Sequence, residues 1–401
     1  MIQEVQKDQT LLVKGPSRVT LLEGKVEVFG KEFTPKKSEV ENTLIVPSAN
    51  YYPLFALEYS KLEIFTSSKD NIEIIEENTI NKEWVKIKDS VMQAIKKNAG
   101  NKPLKLMVLG MSNGKTTLIK YLANKILKEG FKASFLDSDL GQQLLYLPTT
   151  LSIGEINNNI VSSAEISAED TVFIGSTFPK ANFKFIIAHS CIELINSFLS
   201  KHENIDIVLI DSDGWIKTEA GVIYKNFFIN TVDPDIIIVF HDDSIEELEE
   251  IEKNASKSKK RTIFYLKEEN KFFYEKDKEE RRFLRQSQFA KVLENFRKIS
   301  IPLNGIKFIK AGYNSEEDKI TEEELDLNDL SNLPYHYVIS ALLTEDSKLI
   351  RICLLFVINL QKKYILLFSD LNFKEQSKVR KILLGSLRLS IKGNHQGYLY
   401  L

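Results

Sequence analysis

Only two cysteines occur in 401 residues, Cys191 and Cys353, and both fall inside apolar runs far apart in the chain. Neither shows a metal-ligand or disulfide spacing, so the sequence predicts buried thiols in a reducing compartment. The five histidines form no ligand pattern. His241, after the run DIIIVF, reads as structural, and no zinc is expected. No uncharged stretch approaches the roughly 18 residues that mark a candidate membrane span. The opening MIQEVQKDQT lacks the basic segment and apolar core of a signal peptide. The protein is therefore expected to be cytoplasmic or otherwise intracellular (nuclear if the source is eukaryotic), with no membrane partner. A net charge of -2 excludes a wholly basic coat for nucleic acid, although Lys and Arg can still line a local groove. Internal repeats and long low-complexity linkers are absent.

Hydrophobic residues at 43% and charged residues at 27% give the balance of a soluble globular protein, and the length allows two or three domains. Residues 1–85 read as a β-rich domain, a small sandwich or barrel. Lys25-Val26-Glu27-Val28-Phe29 alternates in character, and Gly15-Pro16, Gly24 and Gly30 punctuate turns. From about 104 the rhythm becomes strand then helix: LKLMVLG, TTLIKYLANKILKEG, KASFLD, IDIVLID, a helical stretch near 219–230, DIIIVF, an acidic helix near 244–253, and RTIFYL. Apolar strands alternating with helices predict a parallel sheet covered on both faces. Residues 268–298 form a charge-dense helical excursion, ordinarily a solvated face. After Pro302 the segments turn β-like again. The expected domains are 1–85, 86–299 and 300–401.

The chemistry starts at Leu109-Gly110-Met111-Ser112-Asn113-Gly114-Lys115-Thr116-Thr117, between the first strand and first helix of the α/β region. A glycine turn ending Gly-Lys-Thr and opening a helix presents backbone N–H groups to phosphates. Lys115 is then placed for the β/γ oxygens and Thr116 for Mg²⁺. The spacing is irregular: three residues separate Gly110 from Gly114 where four are standard. An ungapped reading puts Leu109 in the first glycine's place. The nucleotide is expected on residues 110–117, and the fold class is α/β, a P-loop NTPase core flanked by an N-terminal β-rich domain and a C-terminal mixed β-rich module. The second strand ends in Asp137-Ser138-Asp139-Leu140-Gly141-Gln142. Strand carboxyl ends line the ligand crevice of such sheets. There, one carboxylate can hold Mg²⁺, directly or through water, and the other can accept a proton from an attacking hydroxyl.

Taken together these segments resemble the polynucleotide 5′-hydroxyl-kinase family, which includes the RNA kinase of the mRNA 3′-end cleavage factor, the pre-rRNA-processing kinase and archaeal polynucleotide kinases. The family's Asp-x-Asp-x-Gly-Gln motif is matched by Asp137, Asp139, Gly141 and Gln142, followed by Pro148-Thr149-Thr150. Gly175-Ser176-Thr177-Phe178-Pro179-Lys180-Ala181-Asn182 is similar to its substrate clasp, with Phe178 intervening. Asp211-Ser212-Asp213-Gly214-Trp215 looks like a strand-end Gly-Trp segment, and Arg281-Arg282-Phe283-Leu284-Arg285 resembles the arginine-bearing lid.

The resemblance implies transfer of the ATP γ-phosphate to the 5′-hydroxyl of RNA or DNA, with ATP and Mg²⁺ as cofactors and RNA-processing proteins as possible company. It assigns Asp139 as general base, Asp137 with Thr116 to the metal, and Gln142 to the acceptor end. Thr177 and Asn182 would hold the end nucleotide's phosphate or sugar. A local hydrogen-bonded loop explains those two almost as well. Trp215 is placed to stack on a terminal base, against the commoner fate of core packing. Arg281 and Arg285, four apart and so on one helical face, would close over the transferring phosphoryl group. The plainer alternative is a surface ion pair of Arg281 with Asp277. Two other functions fit parts of the sequence. One is an ATP-binding scaffold with little turnover, favoured by the irregular loop. The other is a general P-loop hydrolase, opposed by the Asp-x-Asp-x-Gly-Gln segment and the arginine lid.

Overall fold

The computed structural model describes residues 1–35, 42–111, 114–267, 272 and 276–400. At the N-terminus, strands such as Tyr51–Ala56 and Ser60–Thr66 alternate buried and part-exposed positions, the period of a half-buried sheet. They belong to a five-stranded and a four-stranded sheet. Val5, Val19 and Ile64 from one sheet share a core with Leu11, Val26 and Leu54 from the other, which makes the unit a sandwich.

A helix, α1 (Lys82–Lys97), leads into the central layer; Asn81 caps it by accepting from the Trp84 N–H at 2.9 Å. In chain order the layer then runs β1 (Leu104–Leu109), α2 (Lys115–Lys128), β2 (Ala133–Asp137), β3 (Thr150–Glu155), β4 (Asp170–Phe173), α3 (Phe183–Leu199), β5 (Ile207–Asp211), α4 (Glu219–Val232), β6 (Ile236–Phe240), α5 (Glu246–Ala255) and β7 (Thr262–Leu266), followed by α6 (Lys278–Leu293). The spatial order is β4-β3-β2-β5-β1-β6-β7. Strand β1 explains the two-sided burial. Leu106 and Val108 join the core beneath α1 and α2, while Met107 and Leu109 join the core beneath α3, α4 and α5.

The expected parallel sheet is present as five strands, β2-β5-β1-β6-β7. Antiparallel β3 and β4 extend its edge, a correction to the all-parallel reading. The expected domain limits at 85 and 299 fall inside α1 and inside strand Arg297–Pro302. The C-terminal unit is an eight-stranded, largely antiparallel sheet in which Lys307–Asn314 runs parallel to Lys381–Leu389.

Two joints fix the units around the strand ends of the central sheet. On α2, Asn124 is fully buried; its amide donates to Phe29 O (2.7 Å) and Ile160 O (2.8 Å) and accepts from Ile160 N. Lys125 pairs with Glu27 at 2.6 Å, so the helix that opens at the phosphate loop is cemented to the sandwich. On the other side Ser386 N donates to Gly175 O at 2.7 Å. A Cβ on Gly175 (φ +78°) would stand 2.4 Å from the Gly385 Cα, so the two backbones touch only because both residues are glycine.

Candidate active site

Strand β1 ends at Leu109, the residue that the ungapped reading sets in the first glycine's place. Gly110, at φ +138°, makes the turn; a Cβ there would lie 2.7 Å from the Phe240 Cβ. Gly114, at φ +110°, opens α2, whose first turn has no side-chain cap. Its N-terminal N–H groups and the positive end of the helix dipole therefore face the loop. The Lys115 ammonium donates to Gly110 O at 2.8 Å, folded back across the turn. Burial depresses its pKa, while Asp211 and Asp139 counteract that by favouring the cation. Ser112 and Asn113, also expected in the nucleotide cradle, lie outside the described residues.

Three carboxylates gather opposite the loop. Asp137 and Asp211 are register partners at the ends of β2 and β5. The Thr116 hydroxyl donates to Asp211 Oδ2, while Asp211 Oδ1 is buried with no hydrogen-bond partner among the described residues. Burial pushes the Asp211 pKa up to about 6, against the opposing pull of Lys115 and Thr116. Asp137 is spent on the backbone, accepting from Asp139 N (3.2 Å) and Leu144 N (2.9 Å). Burial and the neighbouring Asp211 hold it well above the usual carboxylate range. The sequence named Asp137 for the metal beside Thr116, whereas the carboxylate in contact with Thr116 is Asp211. Parallel register explains the shift: strand β5 lies between β2 and β1 and brings its terminal Asp next to the loop.

An orphaned carboxylate oxygen beside a hydroxyl fits a hard divalent cation. Among the described residues no three His, Cys, Asp or Glu groups form a closed metal cage. Mg²⁺ held with a nucleotide needs only one or two carboxylates, because the phosphates supply the rest.

Asp139 is held differently. Its Oδ1 accepts from Gly141 N (2.9 Å) and Gln142 N (3.0 Å), and Oδ2 has no hydrogen-bond partner among the described residues. Burial and Asp213 raise its pKa; Lys115 and the two N–H bonds oppose the rise. A fixed, partly buried carboxylate with one open oxygen is what a proton acceptor requires.

A cavity of about 550 Å³ connects these groups. Met111, Gly114, Lys115, Thr116, Thr117, Asp139, Gln142 and Arg281 line it, with Asp211 at its floor. Its far wall, made by Phe29, Tyr52 and Pro53 of the sandwich together with Lys120, was not anticipated from sequence. The Lys120 ammonium sits 4.1 Å from the centre of the Phe29 ring and donates to Val161 O, and burial lowers its pKa to about 7. No local signal could have found this wall, because its parts lie 67 to 91 residues from Lys120 in sequence.

Of the other expected site residues, Trp215, Asn182, Thr177 and Arg285 sit apart from this cavity. Trp215 packs half-buried against the central core, 6.0 Å from Tyr224. Asn182 starts α3 on the surface without capping it. Arg285 donates from Nε to Gly141 O at 3.1 Å, and with Thr177 it borders a second, smaller cavity. Arg281 makes no carboxylate pair with Asp277; its Nε reaches only the Asp277 carbonyl, since the Asp277 side chain caps α6. Of the charged excursion, 268–271 and 273–275 lie outside the described residues.

Residues 110–295 match the family model for the mRNA cleavage and polyadenylation factor CLP1 P-loop. A polyribonucleotide 5′-hydroxyl-kinase of Methanocaldococcus jannaschii is 28% identical over 338 residues, 74% of this chain and 90% of the relative. The chain is similar to polyribonucleotide 5′-hydroxyl-kinases along most of its length. Its kinase-family likeness to a polyribonucleotide 5′-hydroxyl-kinase of Pyrococcus furiosus is 33% over 207 residues, 51% of this chain and 55% of that relative. Among solved structures, Clp1p from a complex with Pcf11p superposes with a TM-score of 0.73 at 14% identity, covering 97% of this chain and 98% of that one. The fold of Clp1p thus accounts for nearly the whole chain. No helix among the described residues is long and apolar enough to cross a membrane.

Proposed function

We propose that this protein is an ATP- and Mg²⁺-dependent polynucleotide 5′-hydroxyl kinase acting in RNA processing or repair. The observation that carries the reading is the Asp139 carboxylate, pinned through one oxygen and open at the other, in the same cavity as Lys115 and the N-terminus of α2. The archaeal relatives are polyribonucleotide 5′-hydroxyl-kinases, which supports RNA as the acceptor class.

In this reading the ATP phosphates lie on the loop 110–117, and the base points toward the sandwich wall. Thr116 and Asp211 would hold Mg²⁺, which would offset negative charge on the bound triphosphate. The 5′-hydroxyl gives its proton to Asp139 as its oxygen attacks the γ-phosphorus. The bond from that phosphorus to the bridging oxygen of ADP breaks as the new ester bond forms. Lys115 and Arg281 offset the charge that spreads over the equatorial oxygens, and Arg285 braces Gly141 beneath the Asp139 anchor. Gln142, Thr177, Asn182 and Trp215 are assigned to the acceptor. RNA-processing proteins are the expected company of such an enzyme.

Label transfer from γ-labelled ATP to 5′-hydroxyl RNA and DNA oligonucleotides tests the proposal. Transfer to an oligonucleotide, lost in Lys115→Ala and Asp139→Asn, supports it. Tight ATP retention without transfer would select the scaffold function instead.

A further inference from the structure

Beside the acceptor carboxylate lies a second cavity of about 200 Å³ between α6 and the C-terminal sheet, to which no role has been assigned. Its polar lining is Thr177, Arg282, Arg285, Gln286, His395 and Tyr398, with no carboxylate. Arg282 is exposed and has no hydrogen-bond or ion-pair partner among the described residues. Arg282, Arg285 and His395 line this one cavity, and burial together with the two arginines lowers the His395 pKa.

Tyr398 continues the surface outward. Lys180 lies 5.1 Å from the centre of its ring, 4.7 Å from that of Tyr400 and 5.6 Å from that of Phe178. Tyr400 is 74% exposed and Phe178 44% exposed, so both rings offer open faces. Lys180 has no carboxylate partner among the described residues and is held by aromatic rings alone.

This surface is continuous with the reacting end. Asp139 accepts from Gly141 N, Gly141 O accepts from Arg285, and a Cβ on Gly141 would lie 3.0 Å from the Thr177 carbonyl oxygen. A strand whose 5′ end sits at Asp139 therefore meets unpaired cations first and open aromatic faces next. Phosphates and bases alternate along a single strand in the same way.

We infer that Arg282, Lys180, Tyr398 and Tyr400 form a track for the acceptor strand downstream of its 5′-terminal nucleotide, with the arginine on a phosphate and the tyrosines stacked on bases. The inference rests on the kinase reading and extends it to a second binding segment. Charge favours nucleic acid over a neutral partner. The aromatic faces beside each cation favour it over an acidic peptide.

Steady-state kinetics on a nucleoside 3′-monophosphate and on 5′-hydroxyl single strands of two, four and eight nucleotides test it. In the wild type, KM should fall about tenfold or more from the shortest to the longest acceptor. In Lys180→Gln, Arg282→Gln and Tyr400→Ala most of that gain should disappear, with KM for the eight-mer rising about fivefold to tenfold while kcat holds. The two charge variants should also flatten the dependence of log KM on log salt. A length-independent wild-type KM, or wild-type eight-mer KM values in all three variants, would overturn the track. If no acceptor is phosphorylated the kinase reading fails, and fluorescence anisotropy of a labelled eight-mer then decides the track alone. Weakened binding in the variants upholds it; unchanged binding, or displacement by poly-glutamate as readily as by unlabelled oligonucleotide, sinks it.

Discussion

Asp139 and Asp211 line one pocket and Asp137 is the register partner of Asp211, but their oxygens are committed differently, and that difference distinguishes them. Asp139 keeps an open oxygen, so Asp139→Asn should lower kcat by roughly 10²–10⁴-fold while ATP binding persists. Label transfer beside calorimetry of ATP binding checks both halves. Asp211 bonds Thr116 and leaves Oδ1 orphaned. Asp211→Asn should therefore weaken the Mg²⁺-dependent part of nucleotide affinity roughly tenfold or more, with little change in binding measured without metal. Asp137 offers both oxygens to backbone N–H groups, so Asp137→Asn should show its effect chiefly in thermal stability. Titrating ATP with and without Mg²⁺ separates the two variants; a larger metal effect at Asp137 would return the metal role to it. The sequence brought Asp139 and Lys115 to notice because each sits in a short local pattern. It did not bring Asp211 to Thr116, because that contact depends on β5 lying between β2 and β1, and strand order has no local signature.

Helix α2 is the element on which the site hangs, and its joints are specific. Asn124→Ala would leave the Phe29 carbonyl and both backbone groups of Ile160 without their partner, at a cost of about 3 kcal/mol in denaturant unfolding. Glu32 reaches from the sandwich to Lys128 on the same helix and to Lys25, and these two pull its pKa down to about 2. A carboxyl whose folded pKa is depressed contributes stability above its unfolded value, and loses it as pH falls through the folded one. Glu32→Gln should then lower Tm most at neutral pH, by no more than about 1 kcal/mol equivalent given the exposure of the pair. The gap to wild type should narrow below about pH 4.5. A constant gap from pH 7 to pH 3 would rule out the ion pairs as its source. Elements with a clear period were legible: the alternating N-terminal strands, β1, α2, β5 and β6. Helix α3 went unread because FKFIIAHSCIELINSFL is apolar on nearly all sides and shows no face. The antiparallel pair β3 and β4 escaped because TLSIGE and DTVF are too short to show a clear period.

At the scale of the whole molecule, one cavity is built by two units, and nucleotide binding should therefore depend on a joint that touches no phosphate. The loop and Thr116 belong to the central layer, whereas Phe29, Tyr52 and Pro53 come from the sandwich. Inorganic triphosphate can fill only the first half; ATP can reach both. With ligand at a hundredfold excess over Kd, each should stabilise the wild type by about 2.7 kcal/mol through mass action. At one fixed concentration, however, ATP should shift Tm further than triphosphate does. Asn124→Ala loosens the sandwich from α2 without altering the phosphate loop, so it should erase ATP's advantage and leave the triphosphate shift intact. Calorimetry of both proteins with both ligands, each with Mg²⁺, reads this directly. If ATP keeps its full advantage in Asn124→Ala, the base is not held by the sandwich, and the two-unit cavity serves only to exclude water from the phosphates.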